Sequence, residues 1–487
     1  MTEEICVGGE WRQGRGEEYQ TIYPADGTVT AEVSAPNLAD VNEAIEVADV
    51  ARKKPSWSGL KPHERASILY RISQLITQRH EELSQLQRAD NGKPIQETRN
   101  LVSSAAGTFR YFAAACETLE DTITPARGEY LTMSVHDPMG VVAAITPWNS
   151  PIASEAQKLA PALAAGNAVI VKPSELTPLL ALKLGRICEE AGVPSGVVSI
   201  LPGDGAVIGD AIVRHPLVRR VSFTGGTKTG RSIARAAAEK LMPVSLELGG
   251  KSPNIVFEDA QMDHAMLGTL FSIFSSSGEA CIAGARLFVQ RSIYDKFLSQ
   301  LVSATEKLRV GDPADPRTQL GPLISRNQRE VVDGFVRLGE KEGGRILTGG
   351  GRPRGALFEA GFYYRPTILE GLPNKARICQ EEIFGPVLVA IPFEDEEDLL
   401  VQANDSSYGL AAGIWTQDYK RAWRVARALE TGTVWINTYK QLSISTPFGG
   451  VKDSGLGREK GRTGIWEYCN QKSLYWGMNQ DPLPWAV

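Results

Sequence analysis

The chain has 487 residues, 42% hydrophobic and 22% charged, with a formal net charge of −5. That length points to two large lobes plus an accessory piece, each able to bury a core. Charge is mixed along the chain, apolar runs are too short to span a bilayer, and the N-terminus has neither the basic start nor the apolar stretch of a secretory signal. Neither nucleic acid nor membrane is therefore an expected partner.

Between Pro62 and Asp90 the residues Ile68, Ile72, Leu75, Ile76, Leu83 and Leu86 recur at mostly three- and four-residue steps, which predicts an amphipathic helix. From Val141 short β-branched runs (Val141–Ile145, Ala168–Val171, Val197–Leu201, Val221–Phe223, Val244–Leu248) alternate with helical stretches near Ile152–Ala165, Leu176–Ala191, Ala206–Val213 and Thr229–Leu241. Five strands and four crossovers predict an α/β, Rossmann-like parallel sheet covered on both faces. A second α/β lobe is expected after Cys281, with strands near Arg286–Gln290, Thr367–Leu369, Val387–Ile391, Ala411–Trp415 and Thr433–Ile436, while Gly343–Gly355 reads as a surface loop.

Six cysteines (Cys6, Cys116, Cys188, Cys281, Cys379, Cys469) occur without CxxC pairs. No disulfide framework and no metal site is expected, and a reducing cytoplasm fits. None of the five histidines falls in a candidate site, so a histidine base is not presumed.

A lone cysteine is usually an inert core residue, but Cys281 lies among small residues in Gly278-Glu-Ala-Cys-Ile-Ala-Gly284. A loop or helix start there would offer free N–H groups to lower the thiol pKa and to bind an oxyanion. Glu247 ends a β-prone run and precedes Gly-Gly; it is either solvated or a half-buried general base at a strand end. Asn149, in Pro147-Trp-Asn-Ser-Pro151, is either a helix cap or an oxyanion donor. Gly203–Gly209 and Gly455–Gly461 nearly match GxGxxG but miss its last interval, a weak signal. Phe223-Thr-Gly-Gly-Thr227 sits at a strand-to-helix turn suited to a pyrophosphate. Glu175, in Lys172-Pro-Ser-Glu175, is placed to accept from ribose hydroxyls; the bland alternative is an exposed loop pair.

The order of these blocks, with Gln380-Glu-Glu-Ile-Phe-Gly-Pro386 and Pro447-Phe-Gly-Gly-Val-Lys452, resembles the aldehyde dehydrogenase superfamily over essentially the whole chain. The resemblance implies a Cys281 nucleophile, oxyanion contacts from Asn149 and the Cys281 N–H, and Glu247 as the base that hydrolyses a thioester. It pairs Lys158 with Glu459 on a proton path. It assigns the cofactor NAD to Thr146, Pro147, Trp148, Lys172, Ser174, Glu175, Gly205, Phe223, Thr224, Gly225, Gly226, Thr227, Leu248, Gly249, Glu382 and Phe384. Glu175 disfavours a 2′-phosphate, so NADP is the lesser expectation. Gly226 stands where many members have Ser, and Glu279 where Gln is common.

The implied architecture is an NAD-binding domain of residues 1–121 and 138–248, a catalytic domain of 249–448, and an oligomerisation arm of 122–137 with 465–487, in a homodimer or homotetramer. The substrate tunnel is expected to include Ser150, Ser154, Gln157, Tyr439, Lys440, Leu442 and Phe448. Its polarity favours a polar aldehyde, a semialdehyde whose carboxylate meets Lys440 being one candidate; the bland reading leaves Lys440 in solvent. A coenzyme A-acylating enzyme, disfavoured by Glu247, and a catalytically silent relative are the alternatives. The Gly-Gly-Thr turn and Asp481–Val487 are similar to the hydroxymuconic semialdehyde dehydrogenase branch.

Overall fold

The computed structural model describes residues 2–479 and Trp485. Apolar, β-branched runs form five buried strands: β1 (Val141–Ile145), β2 (Ala168–Lys172), β3 (Val198–Ile200), β4 (Val218–Thr224) and β5 (Val244–Glu247). Between them run α1 (Pro151–Ala164), α2 (Leu179–Glu190), α3 (Asp210–Arg214) and α4 (Thr227–Ala238). These strands are parallel and lie in the order β5-β4-β1-β2-β3. The chain leaves β1 in one direction and crosses back to its other side after β3. The loops after β1 and β4 therefore part at the carboxyl edge, where open α/β sheets bind ligands.

The sheet is wider than five strands. Ile5–Val7 pairs antiparallel with β3, Glu10–Arg12 lies outside it, and Gly455–Leu456 pairs antiparallel with β5. Strands of two or three residues carry no readable alternation, so sequence periodicity passes over them.

The second sheet contains β6 (Pro253–Val256), β7 (Arg286–Gln290), β8 (Thr367–Glu370), β9 (Val387–Phe393), β10 (Ala411–Trp415) and β11 (Thr433–Ile436), in the order β8-β9-β7-β6-β10-β11. Its faces follow the two-residue period of a strand. Ile255, Phe288, Val389 and Ile391 enter one core, while Val256, Leu287, Val289 and Ala390 enter the other.

Several expectations need correction. The helix expected over Pro62–Asp90 breaks at Arg79 into Pro62–Gln78 and His80–Asn91. The helix expected over Ala206–Val213 starts as a π turn, Gly205–Gly209, before α3, because Asp204 accepts from the Ala206 and Val207 N–H groups. Within the glycine-rich loop, Arg345–Thr348 forms an edge strand antiparallel to β8. The arm is a three-stranded sheet in which Tyr130–Pro138 pairs with both Thr122–Thr124 and Cys469–Gly477. Of Asp481–Val487 only Trp485 lies within the described residues.

Asn167 ties the α1–β2 turn to its surroundings. Its Oδ1 accepts from the Gly140 N–H at 2.8 Å, and its Nδ2 donates to the carbonyls of Ala162 at 3.1 Å and Tyr468 at 3.0 Å. Asn167→Ala leaves three buried backbone groups without this partner and is expected to destabilise the fold by about 3 kcal/mol, read as a lower Tm in a thermal melt.

Candidate active site

A groove of about 570 Å³ opens at the divergence of the β1 and β4 loops. It is lined by Thr146, Pro147, Trp148, Lys172, Ser174, Glu175, Gly205, Phe223, Thr224, Gly225 and Gly226. Thr227 begins α4 directly behind it. Gly226 caps α4 without a side-chain bond, so the first N–H groups of the helix stay free for an anion. A Cβ on Gly226 would meet nothing within 4 Å, whereas one on Gly225 would fall 2.5 Å from the Phe223 ring. Serine therefore fits sterically at position 226 and its absence costs only a side-chain donor.

Lys172 is not the exposed half of a loop pair: it is buried, with Nζ 3.4 Å from Glu175 Oε2, while Glu175 remains half exposed. The near-match at Gly203–Gly209 is no phosphate loop, since Asp204 already occupies its free N–H groups.

The far end of the cofactor set arrives from the second lobe. Glu382 Oε1 accepts from the Gly250 N–H at 3.1 Å, and a Cβ on Gly249 would collide with that carboxylate at 2.2 Å. Burial pushes the Glu382 carboxyl up to about 7. Phe384, at φ +55°, meets Trp148 edge to face with ring centroids 5.1 Å apart. Leu248, beside Gly249, is buried against Gly230 of α4.

Cys281 is partly exposed, in a turn rather than at a helix start. Its thiol is pushed up to about 12 by burial and by the Glu382 and Glu247 carboxylates; the Lys440 ammonium and its own N–H pull the other way. The expected lowering of its pKa is thus reversed, because burial first, and then the two carboxylates, outweigh the Lys440 ammonium and the backbone donor. Asn149 crosses from the loop after β1 to this turn, its Nδ2 donating to the Glu279 carbonyl at 2.9 Å. Gly250 packs so tightly on it that a Cβ would lie 2.4 Å from the Cys281 carbonyl oxygen.

Glu247 ends β5, buried, with neither carboxylate oxygen hydrogen-bonded among the described residues. Burial first, and then repulsion from Glu459, raises its pKa well above the usual range. Lys158 is fully buried and ion-paired with Glu459, and Lys158 Nζ also donates to Ser222 Oγ at 3.0 Å. Glu459 accepts in addition from Ser222 Oγ at 2.8 Å and Gln157 Nε2 at 2.7 Å.

The residues expected in the tunnel do different things. Ser150 and Ser154 share a hydrogen bond of 2.9 Å, Gln157 serves Glu459, and Leu442 is half exposed. Tyr439 is buried, its hydroxyl donating to the Ile282 carbonyl at 3.1 Å, so it braces the Cys281 turn. Lys440 does not point freely into solvent: its Nζ donates to Ser275 Oγ at 2.7 Å. Phe448 is buried beneath Lys460, whose ammonium lies 5.1 Å from the ring centroid. Sequence reasoning passed over Lys460, since one lysine among charged neighbours gives no signal.

A Rossmann-like sheet with a groove at its switch point, and a cysteine turn meeting it from a second α/β lobe, define a class of dinucleotide-binding enzyme with a cysteine at the cleft. The sequence model of the aldehyde dehydrogenase family matches residues 11–474, and the chain belongs to that family. It is 43% identical over 470 residues to 5-carboxymethyl-2-hydroxymuconate semialdehyde dehydrogenase of Escherichia coli, covering 95% of this chain and 99% of that one. Betaine aldehyde dehydrogenase of Bacillus subtilis is 39% identical over 487 residues, covering 100% and 99%. The NAD+ complex of aldehyde dehydrogenase from Bacillus cereus superposes with a TM-score of 0.96, at 38% identity and with 98% and 97% coverage.

With the thiol held far above neutral, its thiolate fraction grows about tenfold per pH unit across the neutral range. Alkylation of Cys281 by iodoacetamide in the cofactor-free protein should therefore rise steadily from pH 7 to pH 10. A plateau near pH 8 would contradict the carboxylate surroundings described.

Proposed function

We propose that the chain oxidises an aldehyde to a carboxylic acid with NAD as cofactor, through a thioester on Cys281. The bond from Asn149 to the backbone of the Cys281 turn carries this reading, because it sets an amide donor beside the proposed nucleophile. The groove fits a dinucleotide: free α4 N–H groups for the pyrophosphate, Glu175 at the opposite end for ribose hydroxyls, and Glu382 with Phe384 toward Cys281.

NAD, when bound, supplies the hydride acceptor and a positively charged ring. The Cys281 thiol gives its proton to the Glu247 carboxylate as the sulfur adds to the aldehyde carbon, and Glu247 passes that proton on before the later water step. The Asn149 amide with the Cys281 N–H holds the resulting oxyanion. After oxidation to the thioester, Glu247 takes a proton from the attacking water. Its unpartnered carboxylate, raised in pKa, suits a base of that kind, and the Lys158–Ser222–Glu459 cluster beside it offers a route for the proton. The same base supports water over coenzyme A as the acyl acceptor.

The substrate reading is an aldehyde with an anionic far end. Two ammonium groups, Lys440 and Lys460, act electrostatically on Cys281, and they oppose a quaternary ammonium substrate such as betaine aldehyde. A homo-oligomer built through the arm is supported by the exposed Tyr475 and Trp476 on Cys469–Gly477. A reducing cytoplasm is supported by six free cysteines.

Cys281→Ala is expected to abolish NADH formation with NAD binding retained, and Asn149→Ala to lower kcat by roughly 10²–10³. NADH absorbance and cofactor titration check both; full activity in either variant contradicts the mechanism. For the substrate class, the ratio of kcat/KM for a carboxylated aldehyde to that for its neutral analogue should exceed one. That ratio should fall about tenfold in Lys460→Met, the scale of one partly exposed charge contact of about 1.4 kcal/mol. Preference for betaine aldehyde would reject the anionic reading while leaving the oxidation itself standing.

A further inference from the structure

The turn that delivers Cys281 is built on an unusual backbone. Ser276 (φ 57°, ψ 26°) and Ser277 (φ 53°, ψ 28°) are both left-handed, and Gly278 follows at φ 74°. Only glycine visits this region freely; serine pays roughly 1–2 kcal/mol there and stays only where its surroundings hold it. Glycine at 278 is required on packing grounds too, since a Cβ would fall 2.1 Å from the Gly385 carbonyl oxygen.

The clamp on Ser276 comes from the other lobe. Glu97, in the first turn of the helix Ile95–Glu117, accepts from the Ser276 N–H at 2.7 Å through Oε1 and from Ser276 Oγ at 2.9 Å through Oε2. Lys93 Nζ, buried and without a hydrogen bond among the described residues, lies 3.9 Å from Glu97 Oε2. The next residues are pinned in turn: Ser277 Oγ donates to the Gly321 carbonyl at 2.9 Å, Glu279 Oε1 accepts from the Ile324 N–H at 2.9 Å, and the Glu279 carbonyl accepts from Asn149. Lys440 holds Ser275 from a further side.

We infer that Glu97 is a positioning residue for the nucleophile: by satisfying both donors of Ser276 it holds the left-handed turn that sets Cys281 against Asn149. Its two charge-assisted bonds match the cost of the strained serines. This inference rests on Cys281 being the nucleophile, but fails separately from it: an inactive wild type would sink the proposed oxidation, whereas an active wild type matched by its variant would sink only the role of Glu97.

The test compares kcat, KM for NAD and the rate of Cys281 alkylation in wild type, Glu97→Ala, Glu97→Gln and Glu97→Ala/Ser276→Gly. In Glu97→Ala, kcat and the alkylation rate should each change by about tenfold or more with KM for NAD unchanged. Glu97→Gln, which keeps a hydrogen-bonding amide of the same shape, should stay within about threefold of wild type. Glycine at 276, needing no clamp to remain left-handed, should restore most of the lost rate. If Glu97→Ala does not fold, Ser276→Val carries the same expectation, because a β-branched residue opposes the left-handed turn while the Lys93–Glu97 pair stays intact. Wild-type kcat and alkylation in Glu97→Ala, a loss without rescue by glycine, or wild-type rates in Ser276→Val would each overturn the inference.

Discussion

A hydrogen bond between two lobes governs the geometry of the cleft: the Asn149 amide, fixed by the loop after β1, holds the carbonyl of Glu279 two residues before Cys281. Everything else at the cleft is arranged around keeping that turn in place. Glu97 holds it from below, Tyr439 and the backbone of Ile324 hold it from its own lobe, and Gly250 is bare so that it can approach. A turn carrying two left-handed serines would relax without such contacts, so the strain marks where the fold has concentrated its restraints.

The electrostatics of the cleft follow from burying more carboxyl groups than a dry site tolerates as anions. Glu247, Glu279 and Glu382 all lie above their usual range, each chiefly through loss of water. Glu459 beside Glu247 is bonded by Lys158, Ser222 and Gln157. A carboxyl group with three side-chain partners thus stands beside Glu247, which has none among the described residues. Lys440 and Lys460 supply positive charge that acts on the thiol.

Three glycines in two short runs make the approach of the lobes feasible. Gly249 gives way to the Glu382 carboxylate, Gly250 to the Cys281 carbonyl, and Gly449 to Glu247, where a Cβ would stand 2.8 Å from Oε1. The segment holding Gly449 also returns to the first sheet, with Gly455–Leu456 against β5. The edge strand thereby brings Glu459 back toward the strand that ends in Glu247.

By itself the sequence determined the alternation of long apolar strands with amphipathic helices, and hence the parallel sheet and its switch point, because burial on both faces leaves a continuous β-branched signature over five or more residues. It also marked Cys281, Glu247, Asn149 and the Phe223–Thr227 turn, whose small flanking residues and strand-end positions are local features. Tertiary structure alone decided the rest. The short edge strands, Glu97 on Ser276, Lys440 on Ser275 and the protonation of Cys281 all depend on groups tens to hundreds of positions apart along the chain. A pKa or a left-handed serine reflects the summed field and packing of those distant neighbours, and no window of sequence contains them.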